Sequence, residues 1–440
     1  MEGAGKVCVI GAGSSGVVAC QVLQARGIPF DCFEKGSFIG GNWRYENDNG
    51  MSSAYRSLHI NTSRRVMAFK SLPMPDHYPD YPDHFQMAAY FDEFADHFGL
   101  REQIEFRTEV VAVEPSGGEW EVTVEPGGGK RQTRRYRAVL VANGHHWDPR
   151  WPEPAFPGAG EFAGEQLHAH HYREPDVLRG KRVLVLGIGN SATDIAVESS
   201  RIADRTLIAM RRGAHVIPKY LNGKPIDELT HPATSMLPLP VQRFFAQRAL
   251  EVATGKVTSY GLPKPDHKLF EAHPTVSSEL LPRIGHGDIG VKPNIERFGG
   301  GNTVRFVDGT EEEVDLVVYC TGYKISFPFF APEVFAAPEN RLPLYRRVVA
   351  PDRPGLYFLG FIQPFGPIMP LAEAQAEWIA DLLAGAASLP PAAEMKRDVA
   401  AEEARMNRRF VASKRHTVEV DFYPYLREIG RERKRVAAPA

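Results

Sequence analysis

One short pattern occurs twice in this chain, and the repetition restricts the fold more than any other feature. Val7–Ile10, a short β-branched run, leads into Gly11-Ala12-Gly13-Ser14-Ser15-Gly16, and Arg182–Leu186 leads into Gly187-Ile188-Gly189-Asn190-Ser191-Ala192. A helical pattern follows each run (Ser15–Gln24, Ser191–Ser200), and then a second strand (Phe30–Phe33, Thr206–Ala209). Strand, glycine turn, helix and strand make a βαβ unit. Its first glycine allows the tight turn, its second lets a pyrophosphate approach the backbone, and its third lets helix and strand pack closely. Alanine serves in the third slot at the cost of slightly wider packing. The unpaired N–H groups of each helix start favour an anion. Two such units predict two dinucleotide sites.

The end of the second strand tells the two apart. Glu34 stands eighteen residues after Gly16, where a carboxylate accepts from ribose hydroxyls. Gly40-Gly41-Asn42-Trp43 then resembles the flavoprotein variant of the fold, so the first site is read as FAD. The second unit has no acidic residue there but Met210-Arg211-Arg212. An arginine at this point grips a 2′-phosphate, so the second site is read as NADPH, with Arg211 chosen over Arg212 for the main contact.

Between the units lie a polar Pro73–Pro82 stretch, a helix over Met87–Phe98, and strands at Glu109–Val113, Glu119–Val124 and Arg137–Val141. The alternation in Trp120–Val124 fits an antiparallel meander. Prolines across Pro149–Pro157 mark a boundary. Residues 218–293, with a helix over Val241–Val252, read as an insertion in the second unit. Thr303–Phe306 and Val314–Tyr319 read as strands returning to the first unit, followed by helices Ala372–Leu383 and Ala392–Phe410. The expected fold is α/β: two Rossmann-like dinucleotide-binding domains, the NADP domain inserted into the FAD domain. The expected boundaries are 1–160 and 301–440 for FAD, the latter including the C-terminal helices, and 161–300 for NADPH.

A net charge of −2 over 440 residues gives no reason to expect nucleic acid. Cys8, Cys20, Cys32 and Cys320 form no CxxC pair, which argues against a dithiol reductase and a zinc site and suits a reducing compartment. The strand pattern at Lys6–Ile10 starts without a signal segment, and no apolar run approaches the ~18 residues of a membrane span. The expectation is a cytoplasmic protein with no membrane partner. His168, His170 and His171 lie close together, yet no carboxylate or cysteine stands at ligand spacing, so no metal is expected and His168 is read as structural.

The stretch from Phe162 through Gly164 and His168 to Tyr172 fits the pattern FxGxxxHxxxY/F without a gap. With it, the chain resembles the flavin-containing monooxygenases over nearly its whole length. Cys32–Lys35, Gly40–Trp43, Tyr55–Thr62, Gly189–Asp194, Tyr260–Pro263, His273–Thr275, Cys320–Tyr323 and Ala374–Trp378 agree with that family, although Ala192 and Thr193 replace its commoner Gly-Cys. The resemblance implies that Gly11, Ala12, Gly13, Ser14, Ser15, Gly16, Glu34, Gly41, Asn42, Trp43, Ile60, Asn61, Thr62, Val110 and Gln375 bind FAD. It likewise gives Gly187, Gly189, Asn190, Ser191, Ala192, Thr193, Asp194, Arg211 and Arg212 to NADPH. Asn61 becomes the catalytic residue at the reactive flavin edge. The implied chemistry is addition of O2 at flavin C4a and transfer of one oxygen to an amine or sulfide; a homodimer is common among such proteins. Two alternatives stand beside it. One is a Baeyer–Villiger monooxygenase, against which Tyr172 argues because those relatives carry tryptophan. The other is an NADPH oxidase or redox sensor that transfers no oxygen.

Overall fold

The computed structural model describes residues 5–229, 232–410 and 417–436. The chain sorts into two compact units: Met1–Ala54, Leu58–Asp148 and Lys324–Ala440 form one, Tyr55–Ser57 and Pro149–Tyr323 the other.

The first unit is built on a five-stranded sheet in the order Leu356–Phe358, Ala138–Val141, Val7–Ile10, Phe30–Phe33, Ile104–Glu105. All its pairings are parallel. Val7–Ile10 and Ala138–Val141 are buried at every position. That is why they read as continuous apolar runs rather than alternating ones. Helix α1 (Ser14–Ala25) crosses over between the first two strands. Helix α2 (Arg64–Met67) is one turn; α3 (His84–His97) starts in a capping box, in which Asp83 accepts from the Gln86 N–H at 2.8 Å and Gln86 from the Asp83 N–H at 3.1 Å. Thr108–Ser116, Glu119–Pro126 and Gln132–Tyr136 form the antiparallel meander.

The second unit repeats this plan. Its parallel sheet runs Ile289–Lys292, Arg205–Ala209, Arg182–Leu186, Leu316–Tyr319, Glu165–His168. Helix α4 (Asn190–Ile202) follows the glycine turn. An antiparallel meander of Ile295–Phe298, Thr303–Phe306 and Glu311–Glu313 accompanies the sheet. Helices α5 (Leu239–Thr254) and α6 (Leu280–Gly285) lie in the inserted stretch, and α5 has no buried residue.

This corrects the expected return point. Thr303–Phe306 and Leu316–Tyr319 belong to the second unit, and the chain goes back only at Lys324. The reason is burial: Leu316–Tyr319 is covered at every residue, and its neighbours on both sides are second-unit strands. The insertion also ends earlier than 293, because Ile289–Lys292 is an edge strand of the sheet. The chain leaves the first unit after Asp148, where the proline stretch starts, so the expected boundary at 160 lies too late and residues 149–160 belong to the second unit.

After Lys324 the first unit gains α7 (Met369–Leu383), which packs against α1, then α8 (Ala392–Arg409) and α9 (Phe422–Glu432). Among the described residues no helix is long and apolar enough to cross a membrane.

Candidate cofactor and active site

In the first unit the glycine turn is squeezed from several sides. Gly11 holds φ +96°, and a Cβ there would lie 2.9 Å from the Ala142 carbonyl oxygen. A Cβ on Gly16 would come within 1.8 Å of the Gly11 oxygen. Gly41 crosses over Gly13, where an added Cβ would sit 3.0 Å from the Gly13 Cα. Ala12 is fixed at both ends: its N–H donates to Glu34 Oε2 at 2.8 Å, and its carbonyl accepts from Gly40 N–H at 3.0 Å. Helix α1 then begins with no side-chain cap and no acid in its first turn. An uncapped start leaves donors and a positive dipole end for a phosphate. Glu34 is buried, and its other oxygen accepts from Gly36 N–H at 2.8 Å and Asn49 Nδ2 at 3.1 Å. Three N–H donors hold the carboxylate still while leaving lone-pair capacity for a ribose hydroxyl. The backbone fits a dinucleotide.

Asn42 Oδ1 is taken by the N–H and hydroxyl of Ser53, each at 2.8 Å, and Trp43 packs on the apolar core. Val110 points its side chain into the other core cluster and precedes a bulge in the meander, so any cofactor contact there falls to main chain. Ile60 donates its N–H to the Pro82 carbonyl at 3.0 Å, and Arg64 donates to Asp80 at 2.7 Å. Asn61 and Thr62 are thus held from both sides by the 80–82 turn. The helix cap of α2 is Ser63. Half-buried, Asn61 makes no side-chain hydrogen bond among the described residues.

The second unit has the same cradle with different braces. Gly187 holds φ +136°, and a Cβ there would lie 2.9 Å from the Cys320 carbonyl oxygen. Helix α4 also begins uncapped, without an acid in its first turn. Asn190 Oδ1 accepts from Val276 N–H at 2.9 Å, Thr275 donates to the Ile188 carbonyl, and Thr193 donates to the Asn190 carbonyl at 2.8 Å. Ser191 and the buried Ala192 complete the first turn. Asp194 is engaged elsewhere, accepting from Tyr55 Oη at 2.5 Å. One turn later Glu198 accepts from Tyr172 Oη at 2.6 Å, and the two rings lie 5.8 Å apart. Burial, then these carboxylates, push both phenols well above their ordinary range. Arg212 is paired with Asp266 at 3.3 Å. Arg211 is exposed and has no ion pair among the described residues.

His168 accepts from His170 N–H at 3.0 Å through Nδ1. Burial, then its histidine neighbours, push the ring down to about 4, so it is neutral at working pH. Gln375 is fully buried, and both ends of its amide are bonded to protein.

Several positioning groups escaped the sequence reading: Asn49, Ala142 and Val276. The turn-forming run Asn47-Asp48-Asn49 was the only local sign of the first.

Two parallel sheets, each with a glycine cradle, and one unit interrupting the other define the flavoproteins that carry two dinucleotide-binding domains. A family-wide profile described as "flavin-binding monooxygenase-like" matches residues 4–435. Rabbit (Oryctolagus cuniculus) flavin-containing monooxygenase 5 is 37% identical, with 96% of this chain and 82% of that protein covered. Mouse (Mus musculus) dimethylaniline monooxygenase [N-oxide-forming] 2 is 34% identical, over 97% and 82%. Among solved structures, S-allyl-L-cysteine S-oxygenase from Allium sativum aligns with a TM-score of 0.73 at 27% identity, over 99% of this chain and 89% of that one. The chain belongs to the flavin-binding monooxygenase-like family. It is an enzyme that uses FAD, NADPH, O2 and a small-molecule substrate.

Proposed function

We propose that this enzyme passes one oxygen atom of O2 to a soft nitrogen or sulfur nucleophile, with FAD in the first unit and NADPH in the second. The observation that carries the reading is Asn61, an amide flanked by backbone bonds of Ile60 and Arg64 and without a side-chain hydrogen bond among the described residues. The N-oxide and S-oxygenase chemistry in the names of two relatives supports the substrate class.

Bound FAD would supply hydride acceptance from NADPH and activation of O2, the chemistry that puts one oxygen on the substrate and releases the other as water. The protein supplies position and electrostatics. The first-turn N–H groups of Ser14, Ser15 and Gly16 would hold the FAD pyrophosphate, and Glu34 would take the ribose. Gly41, Asn42, Trp43, Ile60, Thr62 and the main chain of Val110 line the rest of that cofactor. Gly187, Gly189, Asn190 and Ser191 offer backbone to the NADPH pyrophosphate, and Arg211 takes the 2′-phosphate. Asn61 donates an amide N–H to the reacting oxygen. An amide stabilises developing negative charge yet has no proton to lose, so it does not discharge the oxidant early. Asp194 acts on Tyr55 rather than on the nucleotide, since a carboxylate beside a pyrophosphate would repel it.

The test is rapid mixing of NADPH-reduced enzyme with O2. An absorbing species that differs from both reduced and oxidised flavin, and that decays faster with added amine or sulfide, is the expected result. Direct return to oxidised flavin with stoichiometric hydrogen peroxide would leave an NADPH oxidase. In Asn61→Ala the flavin content should stay full while the yield of sulfoxide per NADPH drops at least about tenfold; an unchanged yield removes Asn61 from the chemistry.

A further inference from the structure

Gln375, on α7, accepts from the Gly360 N–H at 3.0 Å through Oε1 and donates from Nε2 to Tyr425 Oη at 2.7 Å. Tyr425, on α9, donates onward to the Arg346 carbonyl at 2.7 Å. Gly360, Gln375 and Tyr425 are all buried. Gly360 follows the outer sheet strand Leu356–Phe358 and holds φ +74°. It presses on the first turn of α1: a Cβ there would fall 2.2 Å from Ser15 Oγ. A continuous line of hydrogen bonds therefore runs from α9 to the backbone that abuts the start of the dinucleotide helix.

The other end of α9 makes a second tie to the same helix. Arg433, just past α9, donates to Asp381 Oδ2 at 2.7 Å, and Asp381 Oδ1 pairs at 2.5 Å with Arg26, the residue that closes α1. Arg346 itself is gripped by Asp398 of α8 and by Glu428 and Glu432 of α9, at 2.7, 2.8 and 3.1 Å. So α9 is tied to α1 near its first turn and again at the cap residue just past its end. A turn that must present N–H groups to a pyrophosphate is sensitive to small shifts, because misplaced donors lose the bond rather than weaken it gradually.

We propose that Gln375 and Tyr425 are positioning residues for FAD, forming a relay by which the C-terminal helix sets the cofactor affinity of the α1 start. This rests on the FAD reading of the first unit and replaces direct contact of Gln375 with the flavin. The relay acts through Gly360 and Ser15; neither Gln375 nor Tyr425 touches the cofactor.

The experiment is FAD titration of deflavinated full-length protein by fluorescence quenching, with thermal unfolding of the same apoprotein alongside. Tyr425→Phe and Gln375→Leu should each raise the FAD Kd about tenfold, as loss of a buried hydrogen bond predicts. The double variant should be no worse than the weaker single one, because both break one line. Gln375→Glu should lose affinity as Gln375→Leu does, since a carboxylate still accepts from Gly360 N–H but has no hydrogen to give Tyr425 Oη, whose own proton goes to the Arg346 carbonyl. Apoprotein melting should fall by only a few degrees in each, and not in proportion to the loss of affinity. A Kd unchanged in both single variants overturns the relay. A rise in Gln375→Leu with none in Tyr425→Phe makes Gln375 a direct ligand and overturns it too. Affinity losses that merely track a lower melting temperature reduce the residues to general stability. If the unaltered chain binds no FAD, the underlying reading fails rather than the relay alone.

Discussion

The two dinucleotide units share a plan down to the atom that crowds each first glycine. In one it is the Ala142 carbonyl against Gly11; in the other it is the Cys320 carbonyl against Gly187, both at 2.9 Å from an added Cβ. Each carbonyl follows the last residue of the strand beside the central one, so a parallel sheet of this order produces the same tight corner twice. What differs is the bracing. The first cradle is locked by a buried carboxylate that takes three N–H donors, whereas the second is locked by a neutral amide and a threonine from the insertion. The second strand of the first unit thus ends in an acid turned inward, and that of the second ends in exposed arginines. The common geometry holds a pyrophosphate; the divergent ends choose the nucleotide.

The largest effect should come from the third cradle position. Gly16 has no room, with an added Cβ 1.8 Å from backbone, while Ala192 already carries its Cβ in the equivalent place. Gly16→Ala should therefore emerge without bound flavin, as read by the flavin-to-protein ratio. Ala192→Gly should change the NADPH KM less than about twofold and cost roughly 1 kcal/mol of stability, the usual glycine penalty in a helix. A fully flavinated Gly16→Ala enzyme would show that the two cradles tolerate the same packing.

Next comes the nucleotide choice. Arg211→Ala should raise the NADPH KM about 10–100-fold and leave that for NADH nearly unchanged, since a charge-assisted bond to phosphate contributes ~1.5–3 kcal/mol. Arg212 is already paired with Asp266, both half-exposed, so Arg212→Ala should cost no more than about threefold. Steady-state kinetics with both nucleotides decides. Equal losses on NADPH and NADH would detach the arginines from the 2′-phosphate.

Much of this was legible in the sequence because it is local. The glycine turns impose backbone conformations at fixed spacing, and the flanking strands are apolar throughout since parallel sheets bury both faces. Assigning Thr303–Phe306 and Leu316–Tyr319 to a unit was not legible, because a buried strand does not reveal which distant strand it will join. Helix α9 was hidden by Pro424 and Gly430, although proline is tolerated in a first turn and its apolar side packs through Tyr425 and Ile429. At the site, the motif named Glu34, Asn190 and Gln375, but not their partners. Those partners (Asn49, Val276, Gly360) come from loops and strand ends whose positions depend on the finished fold.

The smallest effect at neutral pH should come from the sheet edges, where the comparison turns on charge. The first unit's edge strand ends in Glu105, ion-paired with Arg134, and the second unit's ends in His168, buried and neutral. Burial lowers that ring to about 4 from the ordinary ~6.5 of histidine, so between those values the unfolded chain binds the extra proton and the folded one does not. Stability contributed by the neutral ring is then complete above ~6.5 and is lost as pH falls towards 4, by roughly 1.4 kcal/mol per unit at most. His168→Gln keeps an oxygen that can accept the His170 N–H but cannot titrate. At pH ~7.5 it should alter NADPH oxidation and oxygenation less than about twofold, and on acidification it should lose less stability than the unaltered enzyme. Melting curves and turnover at pH ~7.5 and ~5 measure both halves. A tenfold fall in turnover at the higher pH, with melting unchanged, would mean the ring exchanges protons during catalysis, and the edge of the second sheet would then be chemical rather than structural.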